Sequence, residues 1–364
     1  MSPPMPASTR DDIRRTLLEL ANIPGPPGFE GAIREEIHKL WRPLVDHIEV
    51  SPLGNLVGVL EGRGSEPRPC LAIVTHMDAI GFIVRRIDHG FLHVSGLGIP
   101  DPRVLLGQPV TVLGRQRLAG IMVRPPDACL SADLRDKTAP VEHLLVDLGL
   151  NDRNVSQLVR VGDLVVFDET AQALGENLVI GPALDNRASL AAVTAALASL
   201  SDKRPEWDIH VVATTQEEDS VAGAATLGFA SAPDIALVVD TTFGRGPQDD
   251  EDETFAIGSA ITNGLGPSLH PAVHDLLAEA AEHAQVALVA EVLPHRTSTD
   301  ADVLQVAGAG IPTGLISLPI RNMHTCIEMV HLDDVVRTAK LLSAFAGTLS
   351  SATMRRIRAS FTDD

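Results

Sequence analysis

Between Asp185 and Asp219 the chain reads DNRASLAAVTAALASLSDKRPEWDIHVVATTQEED. Its first part, Ala188 to Leu200, is an apolar helical run. Its second, Asp208 to Thr215, is a short β-branched segment of the kind that forms a buried strand. Downstream the same alternation recurs in the strand-like Asp234 to Asp240 and Gly314 to Leu318 and in the helical Pro271 to His283 and Leu332 to Ser350. Helix and strand in alternation predict an α/β fold, a central mixed sheet flanked by helices. Working towards the N-terminus, two further helices are expected at Asp11 to Ala21 and Glu30 to Trp41, where Ile33, Ile37, Leu40 and Trp41 share a face. The turn Pro24 to Gly28 joins them. Strands are expected at His47 to Val50, Asn55 to Leu60 and Leu71 to Thr75.

From Gly81 to Phe167 the texture changes. Short strand-like pieces, such as Gly81 to Ile87 and Gln108 to Leu113, are punctuated by Gly and Pro with little helical periodicity, which reads as an all-β insertion. The expected organisation is therefore residues 1–80 as the first part of one domain, 81–167 as an inserted domain, and 168–364 as the remainder of the first. A length of 364 residues agrees with two domains, since a single core rarely grows so large.

The balance of 29 basic against 48 acidic residues, a formal charge of -19, excludes a nucleic-acid partner, which would need clustered Lys and Arg. Five consecutive acids, Asp249 to Glu253, repel one another and are expected in a solvated loop. Cys70, Cys129 and Cys326 are odd in number and widely spaced, so no disulfide framework is expected. Cys326 is read as a small core residue rather than a nucleophile. No stretch reaches the ~20 apolar residues of a spanning helix, and the polar segment Met1 to Arg10 has no apolar signal region. A cytoplasmic protein without membrane association is expected.

The residues that carry chemistry are polar groups at the ends of apolar runs, the edge where open α/β sheets bind ligands. In T-H-M-D, strand alternation would put His76 and Asp78 on one face, where Asp78 could orient the imidazole or bind a cation itself. In G-P-A-L-D-N-R, Asp185 precedes a helix, so it is either a cap or a carboxylate able to bridge two cations. In T-T-Q-E-E-D, Glu217 and Glu218 follow a strand, and divergence of adjacent strand residues would let one face a cation and the other a substrate. Paired acids at such a position are costly unless something positive compensates them. Asp240 closes a fourth apolar run and His324, in R-N-M-H, follows a fifth.

His76, Asp185, Glu218, Asp240 and His324 thus form a set of N and O ligands with no thiolate, suited to zinc, with cobalt or manganese as alternatives. Two cations can share five residues only if one bridges, and with Asp185 as the bridge each cation gains one histidine and one further carboxylate. Such a pair activates water for attack on a carbonyl. Glu217, left free, is the candidate general base.

The ordered motifs Pro27 to Gly31, Thr75 to Phe82, Asp101 to Gln108, His143 to Gly149, Gly181 to Arg187, Gln216 to Glu218, Val238 to Asp240, Ser298 to Ala301 and Pro312 to His324 resemble those of the glutamyl and deblocking aminopeptidases. That family includes the tetrahedral aminopeptidases, and some members carry an endoglucanase label. The resemblance implies a zinc-peptidase-like catalytic domain interrupted by a small β-barrel domain used for dimer contacts. It implies homo-oligomers, from a dimer up to a dodecamer, and peptide substrates with a free N-terminus. It would assign one metal to His76, Asp185 and Asp240 and a second to Asp185, Glu218 and His324, with Glu217 as base and Asp78 orienting His76. The chain departs from the family pattern at Ala79, whose side chain is expected to point away from the site, and at Asp219, Ser220 and Asn322, differences expected to bear on the substrate pocket more than on the chemistry.

Two other readings compete. A two-metal carboxypeptidase or deacylase would need a base for the substrate carboxylate, and Arg187, Arg296 and Arg321 are the candidates, although each is read first as half of a structural ion pair. A catalytically silent assembly protein of the same fold would not need Glu217. A glycosidase built on Glu217 and Glu218 is disfavoured, because it needs separated acids and leaves both histidines unexplained.

Overall fold

The computed structural model describes residues 9–130, 137–230, 232–247, 249–251 and 253–360. Before the insertion come α1 (Arg10–Ala21), α2 (Gly31–Trp41), β1 (His47–Val50), β2 (Leu56–Leu60) and β3 (Cys70–His76). The insertion contributes β4 (Gly81–Asp88), β5 (Phe91–Leu97), β6 (Pro109–Leu113), β7 (Arg117–Val123), β8 (Leu145–Asp147), α3 (Asp152–Leu158) and β9 (Leu164–Phe167). Next are β10 (Gln172–Leu174), β11 (Leu178–Gly181), α4 (Leu184–Asp202), β12 (Asp208–Thr214), α5 (Glu217–Ser220), α6 (Ala222–Ala230) and β13 (Ile235–Phe243). The chain ends with β14 (Ile261–Leu265), α7 (Pro271–Ala284), β15 (Leu288–Val292), α8 (Ala301–Leu304), β16 (Thr313–Arg321), β17 (Glu328–His331), α9 (Leu332–Thr348) and α10 (Ser351–Ala359).

An eleven-stranded mixed sheet runs β1-β2-β12-β3-β13-β16-β17-β11-β10, with β14 joining β16 to the edge strand β15. Its middle, β12, β3, β13 and β16, is parallel. These strands are buried on both faces, which is why they read as unbroken apolar runs. Leu71 and Ile73 of β3, Ile209 and Val211 of β12 and Leu237 of β13 point into the core beneath α1, α4, α7 and α9. Ala72, Val74, Val212, Ala236 and Val238 point the other way, into a smaller core closed by α6 and α8. Side-chain alternation therefore sends His76 and Asp240, which keep the parity of Val74 and Val238, towards the smaller core's open end.

Helix α4 crosses the larger core. Fifteen of its nineteen residues are buried, and its alanines let neighbouring helices approach closely. Trp41 Nε1 donates to Thr194 Oγ1 at 2.9 Å, which satisfies the one polar atom of a fully buried indole. The insertion closes as the barrel β4-β5-β8-β7-β6-β9, filled by residues such as Phe82, Val94, Val112 and Met122. Phe82 and Phe167, at its two ends in sequence, meet edge to face with ring centroids 5.5 Å apart.

Several sequence expectations need adjustment. The insertion is not purely β, because α3 covers it; seven residues are too few to impose a visible period. β13 runs three residues past Asp240, and β12 ends at Thr214 rather than Thr215. The short or exposed strands β10, β11, β14, β15 and β17 have no clean apolar signature. Within the acidic stretch Asp249 to Glu253, Asp249 and Glu251 are exposed loop residues, Glu253 also borders the central cleft, and Asp252 lies outside the described residues, as does most of the segment Met1 to Arg10.

Phe345 of α9 is fully buried, whereas Phe229 is 81% exposed. Phe345→Ala is expected to cost about 3–5 kcal/mol of stability, whereas Phe229→Ala should stay within about 0.5 kcal/mol. Thermal unfolding midpoints of the two variants check this.

Candidate metal centre

His76 is the last residue of β3, paired in register with Thr214 of β12, and Asp240 lies two residues beyond the Val74–Val238 pair of β3 and β13. Asp185 arrives from a different direction. It follows Ala183, at φ 61°, and it lies with Asn186 outside helical backbone angles before α4 becomes regular. Its carboxylate caps no helix. Oδ1 lies 3.2 Å from His76 Nε2 and Oδ2 lies 3.7 Å from His324 Nε2, so the two oxygens face two different histidines. Around the first histidine, Asp240 Oδ1 is 3.6 Å from His76 Nε2. Around the second, Glu218 Oε2 is 3.3 Å from His324 Nε2. His76, Asp185 and Asp240 form one group, and Asp185, Glu218 and His324 a second, with the ligand atoms of each group within 4.8 Å of one another.

The glutamate pair does not extend a strand. Gln216, at φ 59°, turns the chain out of β12, and Glu217 and Glu218 occupy the first turn of the four-residue α5. Helical geometry, not strand alternation, separates their side chains. The N–H groups of that first turn have no partner within the helix. Asp78 supplies one: its Oδ1 accepts from the Glu217 N–H and its Oδ2 from the Glu218 N–H, both at 3.0 Å. Because β3 stops at His76, strand alternation does not govern Asp78 either. His76 Nδ1 lies 3.1 Å from the Asp78 carbonyl oxygen and 3.6 Å from its carboxylate. Two more buried side chains pin the same turn: Glu30 Oε1 accepts from the Gln216 N–H at 3.1 Å, and Asn55 Oδ1 from the Thr215 N–H at 3.2 Å.

Glu328, fully buried at the start of β17, escaped the sequence reading. Its Oε2 accepts from the Asp185 N–H at 3.0 Å and its Oε1 from the His324 N–H at 2.9 Å, so one carboxylate fixes the backbone of a residue in each group. The only sequence signal was an acid four residues after a histidine. Asn186 Nδ2 donates to Asp240 Oδ1 at 3.0 Å. Asp300, within Ser298 to Ala301, accepts from Thr214 Oγ1 at 2.5 Å while its other oxygen has no partner among the described residues.

Of the eight non-glycine residues at positive φ among the described residues, Ala183, Gln216, Val221, Ser298, Asn322 and His324 belong to the segments that form this centre. Each such residue costs on the order of 1–3 kcal/mol, so the strain is concentrated where side chains must be aimed.

The electrostatics show what the protein alone leaves uncompensated. Burial pushes the Glu217 carboxyl up to about 10, with Asp240, Asp300 and Asp185 adding to the rise. Burial and the Asp185 charge raise Glu218 well above the usual range, and burial also raises Asp240. Burial opposes charge on His76, yet its contacts with Asp185, Asp240 and Asp78 outweigh this and raise it. Oε1 of Glu218 is buried without any hydrogen-bond partner among the described residues. A cluster of carboxylates with two imidazoles and unpartnered oxygens on Glu218 and Asp300 among the described residues fits divalent cations, with a donor set of the type zinc accepts.

The centre opens into a cleft of 670 Å³, to which the barrel loop contributes Ile99. Among the described residues none of Arg187, Arg296 and Arg321 forms an ion pair, against the expectation of a structural pair for each. Arg187 is fully buried with Nε and Nη1 unpaired, and burial lowers its pKa to about 10 against the raising influence of Asp78 and Glu30. Arg321 Nε donates to the Arg245 carbonyl oxygen at 2.6 Å, and Arg296 is exposed at the cleft. Cys326 is fully buried against the barrel core, and burial pushes its thiol up to about 11, away from nucleophilic use.

Comparison with known proteins adds a family context. The sequence profile described as M42 glutamyl aminopeptidase matches residues 54–341. A lysyl aminopeptidase of Pyrococcus furiosus is 30% identical over 334 residues, covering 90% of this chain and 94% of that protein. Among solved structures, the aminopeptidase APDkam598 from the archaeon Desulfurococcus kamchatkensis superposes with a TM-score of 0.88 at 28% identity, covering 96% of this chain and 98% of that one. The TET1 peptidase of Pyrococcus horikoshii, described as assembling into a tetrahedron or a large octahedral shell, gives 0.81 at 27% identity, covering 93% of this chain and 100% of that one.

Glu328→Ala would leave two backbone N–H groups beneath the centre without an acceptor. It is expected to weaken divalent-cation binding about 10–100-fold. Competition with a chromophoric chelator measures this, and unchanged affinity would refute a supporting role for Glu328.

Proposed function

This chain belongs to the M42 glutamyl aminopeptidase family and is a peptide hydrolase, and from that premise we propose that it releases N-terminal residues from peptides with two divalent cations and Glu217 as general base. One cation would be held by His76, Asp185 and Asp240, the other by Asp185, Glu218 and His324, with zinc the best match and cobalt or manganese as substitutes. The observation that carries the reading is Asp185, whose two oxygens face two histidines. Bound there, the cations would supply Lewis acidity towards the scissile carbonyl and towards the attacking water.

The chain's own groups do the rest. Glu217 belongs to neither triad, borders the cleft, and lies 3.9 Å from His76 Nε2 through its Oε2. It accepts the proton of the attacking water and delivers it to the departing amine. The hydrogen bonds from the Glu217 and Glu218 N–H groups to Asp78 keep base and ligand in fixed relation, so Asp78 positions the base as well as His76. The substrate's free α-amine is a cation, and a cleft rimmed by carboxylates favours it over a blocked N-terminus.

We assign residues 1–80 and 168–364 to the catalytic domain and 81–167 to the barrel domain, and propose a homo-oligomer, a dimer or a larger shell up to a dodecamer. Leu106 and Ile121 of the insertion are 59% and 43% exposed, apolar surface that a barrel-to-barrel contact would cover. No helix of the described chain is long and apolar enough to cross a membrane, and the proposed location is cytoplasmic.

Glu217→Gln is expected to keep the metal content of the wild type and lose about 10²–10⁴-fold in kcat, the usual worth of general-base catalysis. Metal analysis and aminoacyl-anilide hydrolysis measure the two. Chelation should abolish hydrolysis and divalent metal restore it. Faster cleavage of N-acetylated than of free-amine peptides, or activity indifferent to chelator, would overturn the reading.

A further inference from the structure

The edge strand β15 is built the wrong way round for a sheet edge. Of its five residues, Leu288 to Val292, the one buried side chain is Glu291, at 8% exposure, while Val289 and Val292 are 41% and 71% exposed. Glutamate is almost never buried without a partner of opposite charge. Glu291 has hydroxyl partners only: its Oε1 accepts from Thr242 Oγ1 at 2.6 Å and its Oε2 from Thr262 Oγ1 at 2.5 Å. Among the described residues no Lys, Arg or His forms an ion pair with it. If the side chain served only to tie β13, β14 and β15 together, a neutral amide could do so without burying a charge.

Glu291 and Thr242 both border the cleft that contains the metal centre. Thr242 lies two residues beyond Asp240 on β13, about 7 Å along the same face of the strand. The carboxylate is therefore within a side chain's length of the reacting end of a substrate. Leu293, Val303 and Leu315 border the same cleft and offer apolar surface beside it. An aliphatic stem carrying a cationic head matches that arrangement.

The geometry points to Glu291 as the residue that receives the ammonium or guanidinium group of a basic N-terminal side chain, making lysyl and arginyl peptides the preferred substrates. The inference rests on the aminopeptidase reading and specifies its substrate class. The basic side chain would complete the charge pairing that Glu291 lacks, each carboxylate oxygen having a lone pair left after its threonine bond. The opposing candidate is Arg296, which would favour acidic side chains. It is exposed, so its field is screened by solvent and salt, whereas that of the buried Glu291 is screened far less.

The test uses metal-loaded full-length enzyme with lysyl, arginyl, norleucyl, alanyl and glutamyl anilides, norleucine being lysine's stem without the ammonium. Wild type is expected to show kcat/KM for the lysyl substrate at least about 10-fold above that for the norleucyl substrate. Glu291→Gln should reduce the lysyl-to-norleucyl ratio about 10–100-fold, chiefly through KM, and Glu291→Asp should restore part of it. Should the variants fail to fold, product inhibition of wild type decides the matter, with L-lysine expected to bind at least about 10-fold tighter than L-norleucine. Equal lysyl and norleucyl rates in wild type, a preference for the glutamyl substrate, or a proportionate loss on both substrates in Glu291→Gln would each overturn the assignment while leaving the aminopeptidase reading intact. No cleavage of any free-amine anilide by metal-loaded wild type would overturn both.

Discussion

Negative charge concentrated at one edge of a sheet is the constraint around which this molecule is organised. Asp78, Asp185, Glu218, Asp240, Asp300 and Glu328 are buried or nearly so in one region, Glu217 is close to it, and His76 and His324 are the imidazoles beside them. Carboxylates withdrawn from water at such density repel one another and lose hydration, which is why burial raises Glu217, Glu218, Asp240 and Glu328. Hydrogen bonds to backbone N–H groups accommodate part of the charge, notably at Asp78 and Glu328. What they leave is aimed inward, at the space between two histidines, where divalent cations would offset it.

The rest of the fold can be understood as the means of holding that arrangement still. Four parallel strands, buried on both faces, deliver His76 and Asp240 at one height and lead into the turn that carries Glu217 and Glu218. The other two candidate ligands come from segments whose backbone departs from regular structure, as the left-handed conformations of Ala183 and His324 attest. The barrel insertion is not remote from this centre. The Asp101 N–H donates to the His324 carbonyl oxygen at 3.0 Å, so the inserted unit helps to hold a candidate ligand.

Much of this was visible in the sequence because parallel strands buried on both faces leave an unmistakable apolar record. A histidine or acid at the end of such a run stands out, and His76, Glu218, Asp240 and His324 were singled out that way, while Asp185 was singled out ahead of an apolar helix. Glu291 and Glu328 were not. Both sit in short segments where an acid looks like ordinary surface, and their burial is decided by Thr242 and Thr262 in one case and by the Asp185 and His324 backbones in the other. These partners are distant in sequence, and no periodicity encodes them. The α5 turn was missed for a related reason. Four residues cannot display a helical period, and its geometry depends on Glu30, Asn55 and Asp78 accepting the N–H groups around it.

Asp185 is the point at which the account is most exposed, since the remaining candidate ligands cannot form two comparable sites without it. A crystal of zinc-loaded protein, with anomalous scattering measured on either side of the zinc absorption edge, would locate the cations directly. Two peaks are expected, each at about 2.0–2.2 Å from one oxygen of Asp185, one beside His76 and Asp240 and the other beside Glu218 and His324. A single peak, or two peaks with Asp185 bound to neither or to only one, would contradict the bridge and with it the proposed mechanism.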